Sequence, residues 1–529
     1  MKSVTILTIA AMAMAAATGC SHDTPTPSPE PPVKGGEFNE FGFTTTAPVT
    51  LSVDYGDMAG MPANVYFEVY DTCPVEETET AYAKIAGVEP LYAGYTDGQG
   101  RFEGTIELPA YIRKAYVLTP AFYARTLLEA TRSGDMLTAS AESGAPANAA
   151  PASTRAKEYH STAVERDGWK TWLGSYDTTY GSIGYEYDGD LKVKNYGALL
   201  KAHASVFDTT KKCPKEYRSS RDLYLEKSAE VVITLLGSNT CWNSSMGYYY
   251  YKTGNKPKSL ADANVVMIFP NTQDGRWSNS PWESRLYQGV ERGTAVQLIY
   301  YPEIADGSKA GATTVFPADY RIGFVLATNA WTNRLRAGDK KYRAATSDGL
   351  SVNNNGVAYQ TPRTAVFRYT DKKSGINSVL FSFEDHTNDE NFSDVVFTMT
   401  SNPVDAVTDI PSVDVNDGKK TANVLRGIYA FEDLWPSRGD YDMNDVMVRS
   451  DYEKVFNEKG VFEESFMLKT FANFAGNANG LAVTLTGAAA DAKLEFSVRK
   501  PGAETFEAAD FERDGKVVLL TPDVKETMG

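Results

Sequence analysis

The sequence predicts an all-β protein of tandem β-sandwich domains, and three observations carry that expectation. Apolar or alternating runs of strand length recur along the whole chain, among them Val49-Thr-Leu-Ser-Val53, Ala229-Glu-Val-Val-Ile-Thr-Leu-Leu236 and Lys493-Leu-Glu-Phe-Ser-Val498. The composition is rich in Tyr and in turn-forming residues, with 31 Tyr and 42 Gly, which suits strands joined by tight turns. Helical periodicity holds only in short pieces. At 529 residues the chain exceeds what one core supports, so about two to four domains are expected.

Taken in order, the chain begins with a targeting pattern. Lys2 supplies a positive start and residues 4–17 an apolar stretch too short for a committed transmembrane helix, so residues 1–19 read as a lipoprotein signal peptide. The stretch ends Ala17-Thr18-Gly19-Cys20, which resembles a bacterial lipobox with Cys20 as the residue to be acylated, although Ala17 stands where Leu is usual. An ordinary signal peptide with an incidental Cys is the plainer alternative. No later apolar run reaches membrane-spanning length, so attachment to a membrane is expected through lipid alone. Residues 20–37 are rich in Pro, Thr and Ser and form an extended tether.

Residues 38–139 read as an immunoglobulin-like β-sandwich. The runs at 49–53 and 65–70 are strands, Tyr95-Thr-Asp-Gly-Gln-Gly-Arg-Phe102 carries hairpin-turn chemistry, and strands follow at 104–108 and 115–118. Residues 140–157, rich in Ala, Ser and Pro, form a linker. Residues 158–407 read as a larger central sandwich with strands at 229–236, 263–269, 293–301, 320–326 and 365–369. A polar connector spans 408–421, and 422–529 form a further β-domain.

Charge and cysteine usage exclude some functions. A formal net charge of −16 offers phosphates no basic stripe, which argues against nucleic acid. Zinc is not expected, because there are only four His and no Cys-x-x-Cys pair. An oxidising compartment permits a Cys213–Cys241 disulfide that leaves Cys73 unpaired.

One pattern occurs twice. Phe383-Glu-Asp-His-Thr-Asn-Asp-Glu-Asn-Phe-Ser-Asp-Val395 is followed by Phe431-Glu-Asp-Leu-Trp-Pro-Ser-Arg-Gly-Asp-Tyr-Asp-Met-Asn-Asp-Val446. Each copy opens Phe-Glu-Asp, crosses a polar loop and closes on Asp-Val before an apolar run. Oxygen-bearing side chains at alternate positions let a tight loop turn several oxygens onto one hard cation. Calcium suits such a loop, because it accepts about six to eight oxygens at about 2.3–2.6 Å in irregular geometry. The spacing overlaps an EF-hand at its first three ligand positions, then departs from it, with Asp394 or Asp445 where a Gly would stand and a strand where a helix would follow. A pair of solvated acidic hairpin turns fits the same residues.

The second copy and its context resemble the signature of the LruC-domain proteins, many of them Bacteroidetes surface lipoproteins, with the specificity concentrated between residues 383 and 448. The resemblance implies a β-rich, secreted protein held at the outer membrane or cell surface, with a largely undefined role. It also implies a C-terminal domain that usually continues further than residue 529, so a shortened copy is expected. On this assignment Glu384, Asp385, Asp389, Asn391 and Asp394 hold one calcium ion, and Glu432, Asp433, Asp440, Asp442, Asn444 and Asp445 hold another.

The functional expectation is a non-enzymatic cell-envelope lipoprotein with calcium-stabilised β-domains and a surface binding, adhesion or structural role, facing a glycan or protein ligand. The alternatives are a carbohydrate-binding protein, motivated by Gly247-Tyr-Tyr-Tyr-Tyr251 with Trp242, Trp277, Trp282 and Trp331, or a carbohydrate-active hydrolase pairing Glu432 with Asp442. Runs of Tyr along a strand are equally half core and half surface. Hydrolase and nucleotide motifs such as Gly-x-Ser-x-Gly, His-Glu-x-x-His or a phosphate loop are absent.

Overall fold

The alternation in Thr46–Asp54 buries Val49, Leu51 and Val53 and leaves Thr50 and Ser52 part-exposed, as a strand with one covered face requires. The structure, a computed structural model, describes residues 8–10, 46–56, 63–78, 82–141, 159–160, 169–177, 181–240, 242–273, 289–331, 342–371, 376–386, 389–412, 420–433, 442–485 and 493–527. Cys20, the tether at 20–37, the linker from 142 onward, Cys241, Trp277, Trp282 and Asp440 therefore lie outside the described residues.

Thr46–Asp54 pairs antiparallel with Arg101–Pro109 and parallel with Met136–Ser140. With Tyr66–Tyr70, Tyr92–Tyr95, Lys114–Leu118 and Leu127–Ser133 these make one seven-stranded sheet. The sheet curls until its two edges meet, bringing the rings of Tyr92 and Phe102 to 5.9 Å. The corner is the turn at 97–100, where Asp97 Oδ1 accepts the N–H groups of Gln99 and Arg101 and Gly100 takes a left-handed φ of 79°. The expected N-terminal β-sandwich module is a nearly closed, barrel-like one. Its parallel closing pair and its tight corner keep the hydrogen bonding continuous, so the strands do not separate into two sheets.

The central region is a sandwich of two sheets. One runs Trp169–Trp172, Val265–Phe269, Ser245–Lys252, Tyr320–Ala327, Leu223–Leu225 and Val407–Thr408, with Arg343–Ala345 beside Tyr320–Ala327. The other runs Ala295–Gln297, Ala229–Gly237, Val395–Asn402, Ile376–Phe383 and Thr364–Asp371, with Val315–Phe316 beside Ala229–Gly237. This second sheet is covered on both faces, which explains its unbroken apolar runs. Phe381, Phe383, Val395 and Phe397 enter the core between the sheets. Phe367, Leu380 and Val396 enter a second core, shared with the N-terminal sheet and the α-helix Tyr196–Val206. Between the sheets, Phe324 packs edge-on against Phe381 and Phe397 at 5.1 and 5.0 Å.

The chain leaves the sandwich later than the expected boundary at 407. Arg368 donates its N–H to Pro411 O, and Ser412 bridges to Arg368. The next strand, Lys420–Phe431, begins inside the expected connector. It forms an antiparallel meander with Val446–Asn457 and Gly460–Ala472. Ala422 and Phe456 pack against Tyr66 and Ala93 of the N-terminal sheet. A smaller sheet of Leu481–Thr484, Val517–Thr521 and Arg513–Asp514 closes a thin core around Leu485, Val518 and Leu520. Thr8–Ala10, from the stretch read as the leader, pairs in parallel with both Gly460–Ala472 and Ser497–Arg499. Cleavage before Cys20 would remove that strand and open an edge on each neighbour.

Candidate metal centre

The first acidic loop joins two strands of the doubly covered sheet. Phe383 pairs with Val395, and the Asp394 N–H donates to Phe383 O at 3.2 Å, so the loop starts and ends on one strand pair. Phe392 adopts a left-handed φ of 58° and drops its ring into the core beside Phe207 and Cys213. That apolar plug turns the loop inward and buries its polar side chains. Glu384, Asp385, Asn391, Ser393 and Asp394 are each at most 5% exposed, and Asp389 is part-exposed.

Hydrogen bonds fix these groups. The Asp385 N–H donates to Asp394 Oδ2 at 2.5 Å, and Thr240 Oγ1 donates to Asp385 Oδ2 at 2.5 Å. Asn391 Nδ2 donates to Asp389 Oδ2 at 3.1 Å and to Thr209 O at 3.2 Å, and its Oδ1 accepts the Ser393 N–H at 2.8 Å. Glu384 Oε2 accepts the Phe392 N–H at 3.1 Å, while Oε1 lies 3.2 Å from Arg363 Nη2, in an ion pair with both side chains at most 1% exposed.

The electrostatics are those of too many buried acids. Burial first, and then the Asp389 carboxylate, push Glu384 well above the ordinary carboxylate range, against the pull of Arg363. Burial likewise raises Asp394, reinforced by Asp385, Glu384 and Asp389. Asp385 is pushed up to about 7, chiefly by burial, with the Thr240 hydrogen bond opposing. Asp389 moves in the same direction, again chiefly through burial. Buried like charges of this kind must take up protons or a cation.

The second loop repeats the plan. Phe431 pairs with Val446, the Asp433 N–H donates to Asp445 Oδ2 at 2.8 Å, and Met443 takes a left-handed φ of 55° at the position of Phe392. Glu432, Asp433 and Asp445, all part-exposed, each offer an oxygen within 4.8 Å of the others. Asp433 Oδ2 also accepts from Asn477 Nδ2 at 3.0 Å and Asn479 Nδ2 at 3.4 Å. Asp442 accepts from the Asn444 amide and stands outside the trio.

The donor set fits a hard cation. In the second loop three carboxylate oxygens converge, and in the first several acids are buried together; all-oxygen donors of this kind suit calcium rather than a soft metal. In the first loop Ser393 Oγ and Glu384 Oε1 are buried and have no hydrogen-bond partner among the described residues, so two oxygens there remain to be satisfied.

Other expected site residues fare differently. The Cys213–Cys241 disulfide is corrected: Cys213 is a free, buried thiol packed with Phe207 and Phe392 and donating to Pro214 O. The tyrosine run is core rather than a stacking platform. Tyr248 and Tyr249 are fully buried, and their hydroxyls donate to Ile299 O at 2.6 Å and Ser347 Oγ at 2.7 Å. Trp331 is 1% exposed. Sequence reasoning missed Thr240, Arg218, Arg363 and Glu390, which brace the first loop, and Asn477 and Asn479, which reach the second. Only Glu390 lay inside the repeated pattern, between its alternating oxygens.

Two family models match the chain, each described only as a domain of unknown function. DUF8469 covers residues 47–141, which is the curled N-terminal sheet, and DUF4114 covers residues 316–402, which includes the first acidic loop. No curated protein and no solved structure matches the chain.

Proposed function

We propose that this chain is a non-enzymatic cell-envelope lipoprotein whose β-domains are stapled by calcium at the two acidic loops, serving a surface binding, adhesion or structural role. The observation that carries the reading is the first loop, where Glu384, Asp385 and Asp394 lie at most 5% exposed beside Asp389 with a single buried guanidinium among them. Four acids against one arginine leave a charge deficit that a divalent cation removes without protonation. The second loop, built to the same hydrogen-bond plan, supports a second ion.

Each loop leaves the end of one strand and enters the start of its neighbour, so an ion there clamps a strand pair. Acylation at Cys20, the Pro-rich tether and the likeness to LruC-domain proteins support placement at the outer membrane or cell surface, with a glycan or protein ligand as partner. At millimolar calcium and a Kd of about 10 µM, one ion adds about 2.7 kcal/mol of stability. The test is thermal unfolding of the mature chain with calcium and with a chelator. A clear fall in Tm on chelation, restored by added calcium, is expected; an unchanged Tm overturns the reading.

A further inference from the structure

Lys420–Phe431 is the last strand of its sheet, and its two halves have different surroundings. At the start, Ala422 is buried against Tyr66 and Ala93 of the N-terminal sheet. Beyond the register shift between Val424 and Arg426, Val446–Asn457 pairs with one edge, and no strand among the described residues pairs with the other. Along this half Ile428, Tyr429 and Phe431 are 61%, 57% and 45% exposed. Tyr429 and Phe431 stand opposite Val448 and Val446 and share their face of the sheet, yet both valines are buried. The apolar cover of the sheet therefore stops one strand short of its edge. Soluble proteins blunt an open edge with charge, Pro or a very short strand. The run Gly427-Ile428-Tyr429-Ala430-Phe431 carries no charge and no Pro.

This edge is also self-complementary. Two copies that meet antiparallel about a two-fold axis set residues of the same face opposite one another. With the axis at Tyr429, Arg426 faces Glu432 of the partner subunit, Gly427 faces Phe431, Ile428 faces Ala430 and Tyr429 faces its own copy. Opposite charges then meet, a ring covers a glycine, and a large aliphatic side chain meets a small one. An axis at Ile428 sets Arg426 against Ala430, and an axis at Ala430 sets Ile428 against Glu432. We propose that a second copy of this chain adds its Lys420–Phe431 strand to this edge in the register centred on Tyr429, joining the two meanders into one continuous sheet.

Arg426 lies 3.1 Å from Asp451 and 3.9 Å from Glu89, and 48% of its side chain stays exposed, so it can meet a further acid across the axis. The acid is present with the second loop loaded or empty, because Glu432, Asp433 and Asp445 together outweigh one divalent ion. The contact goes beyond the calcium reading and does not depend on it. A pairing of this length buries a small area, which suits a reversible dimer rather than an obligate one.

The test is sedimentation of the mature, unacylated chain over a concentration series, together with cysteine cross-linking. The wild-type chain is expected to pass from monomer to dimer as concentration rises. I428K places a lysine on the exposed edge, once in each copy, and is expected to weaken the dimer about tenfold or more with the monomer still folded. Cysteine at the axis tests the register. Y429C sets two thiols opposite each other, so mild oxidation is expected to give a disulfide-linked dimer well above the wild-type baseline. F431C puts the two Cα atoms about 14 Å apart along the strands, beyond the reach of about 7 Å that a disulfide allows, and is expected to stay at that baseline. A chain that remains monomeric at about 1 mM overturns the proposal, as does a dimer that I428K leaves unchanged. Cross-linking of F431C in place of Y429C overturns the register.

Discussion

Asp394 Oδ2 accepts the backbone N–H of Asp385 at 2.5 Å, and the same contact recurs at 2.8 Å between Asp445 and Asp433. In each loop the aspartate before the second strand folds back onto the aspartate after the first. The contact closes the loop, and in the first loop it also brings carboxylates together in a place with little water. Order in these loops therefore depends on what offsets the charge.

Substitution of Asp394 by Asn keeps an oxygen for the Asp385 N–H and removes one charge. D394N is expected to lose about 2.7 kcal/mol of stability in millimolar calcium, the linkage contribution of one ion with a Kd of about 10 µM. In chelator it should match or exceed wild type, because a buried repulsion has been removed. Melting curves under both conditions test this, and an equal loss in both would show that the residue acts through packing alone.

Acidity should act on the same centre with a definite sign. Burial holds the metal-free Asp385 carboxyl up at about 7, against an ordinary value of 3.8, and raises Glu384, Asp389 and Asp394 in the same direction. A folded-state value above the unfolded one contributes stability that is full below the unfolded pKa and is lost as pH rises through the folded pKa. The chelated protein should thus lose this contribution between about pH 4 and pH 7. Calcium binds the deprotonated acids, so the Tm gain from calcium should be small near pH 5 and grow towards about pH 8. A gain independent of pH would contradict the buried-carboxylate account.

Cys213 is packed against Phe207 and Phe392, and burial pushes its thiol up to about 12. A thiol held protonated in a core reacts slowly. Alkylation followed by mass spectrometry should leave Cys213 unmodified in the native chain and label it fully in denaturant. Rapid native labelling would show that the loop and its apolar plug open readily.

Within the central sandwich, Asp222 is 6% exposed and accepts hydroxyl hydrogen bonds from Tyr251 at 2.6 Å, from Thr346 at 2.5 Å and from Ser347. Asp222→Ala leaves three hydroxyls short of an acceptor, and the expected loss is about 3 kcal/mol. Denaturant unfolding measures it, with calcium binding expected to be unchanged. A loss below about 1 kcal/mol would mean that the hydroxyls find other partners.

Much of the fold was legible because its signals are local. The unbroken apolar character of 229–236 and 263–269 marks buried strands, and the structure places strands at Ala229–Gly237 and Val265–Phe269. The duplicated Phe-Glu-Asp pattern marked two loops that share a hydrogen-bond plan. The misses are non-local. Parallel pairing of Met136–Ser140 with Thr50 and its neighbours joins strands more than 80 residues apart, and no hairpin turn announces it. The helix Tyr196–Val206 buries Leu199, Leu200 and His203 over only three turns and is capped by Asn195, a signal too short to outweigh its β-rich surroundings. Thr240 and Asp385 meet across 145 residues, and Arg363 reaches Glu384 because their strands are paired, not because of any motif around it.

The central claim is that two loops each hold a calcium ion. Equilibrium dialysis of the mature, chelator-stripped chain against radioactive calcium tests it most directly. The account predicts two ions per chain, with one lost in D394N and the other in D445N. Recovery of no bound calcium at millimolar concentration would contradict it.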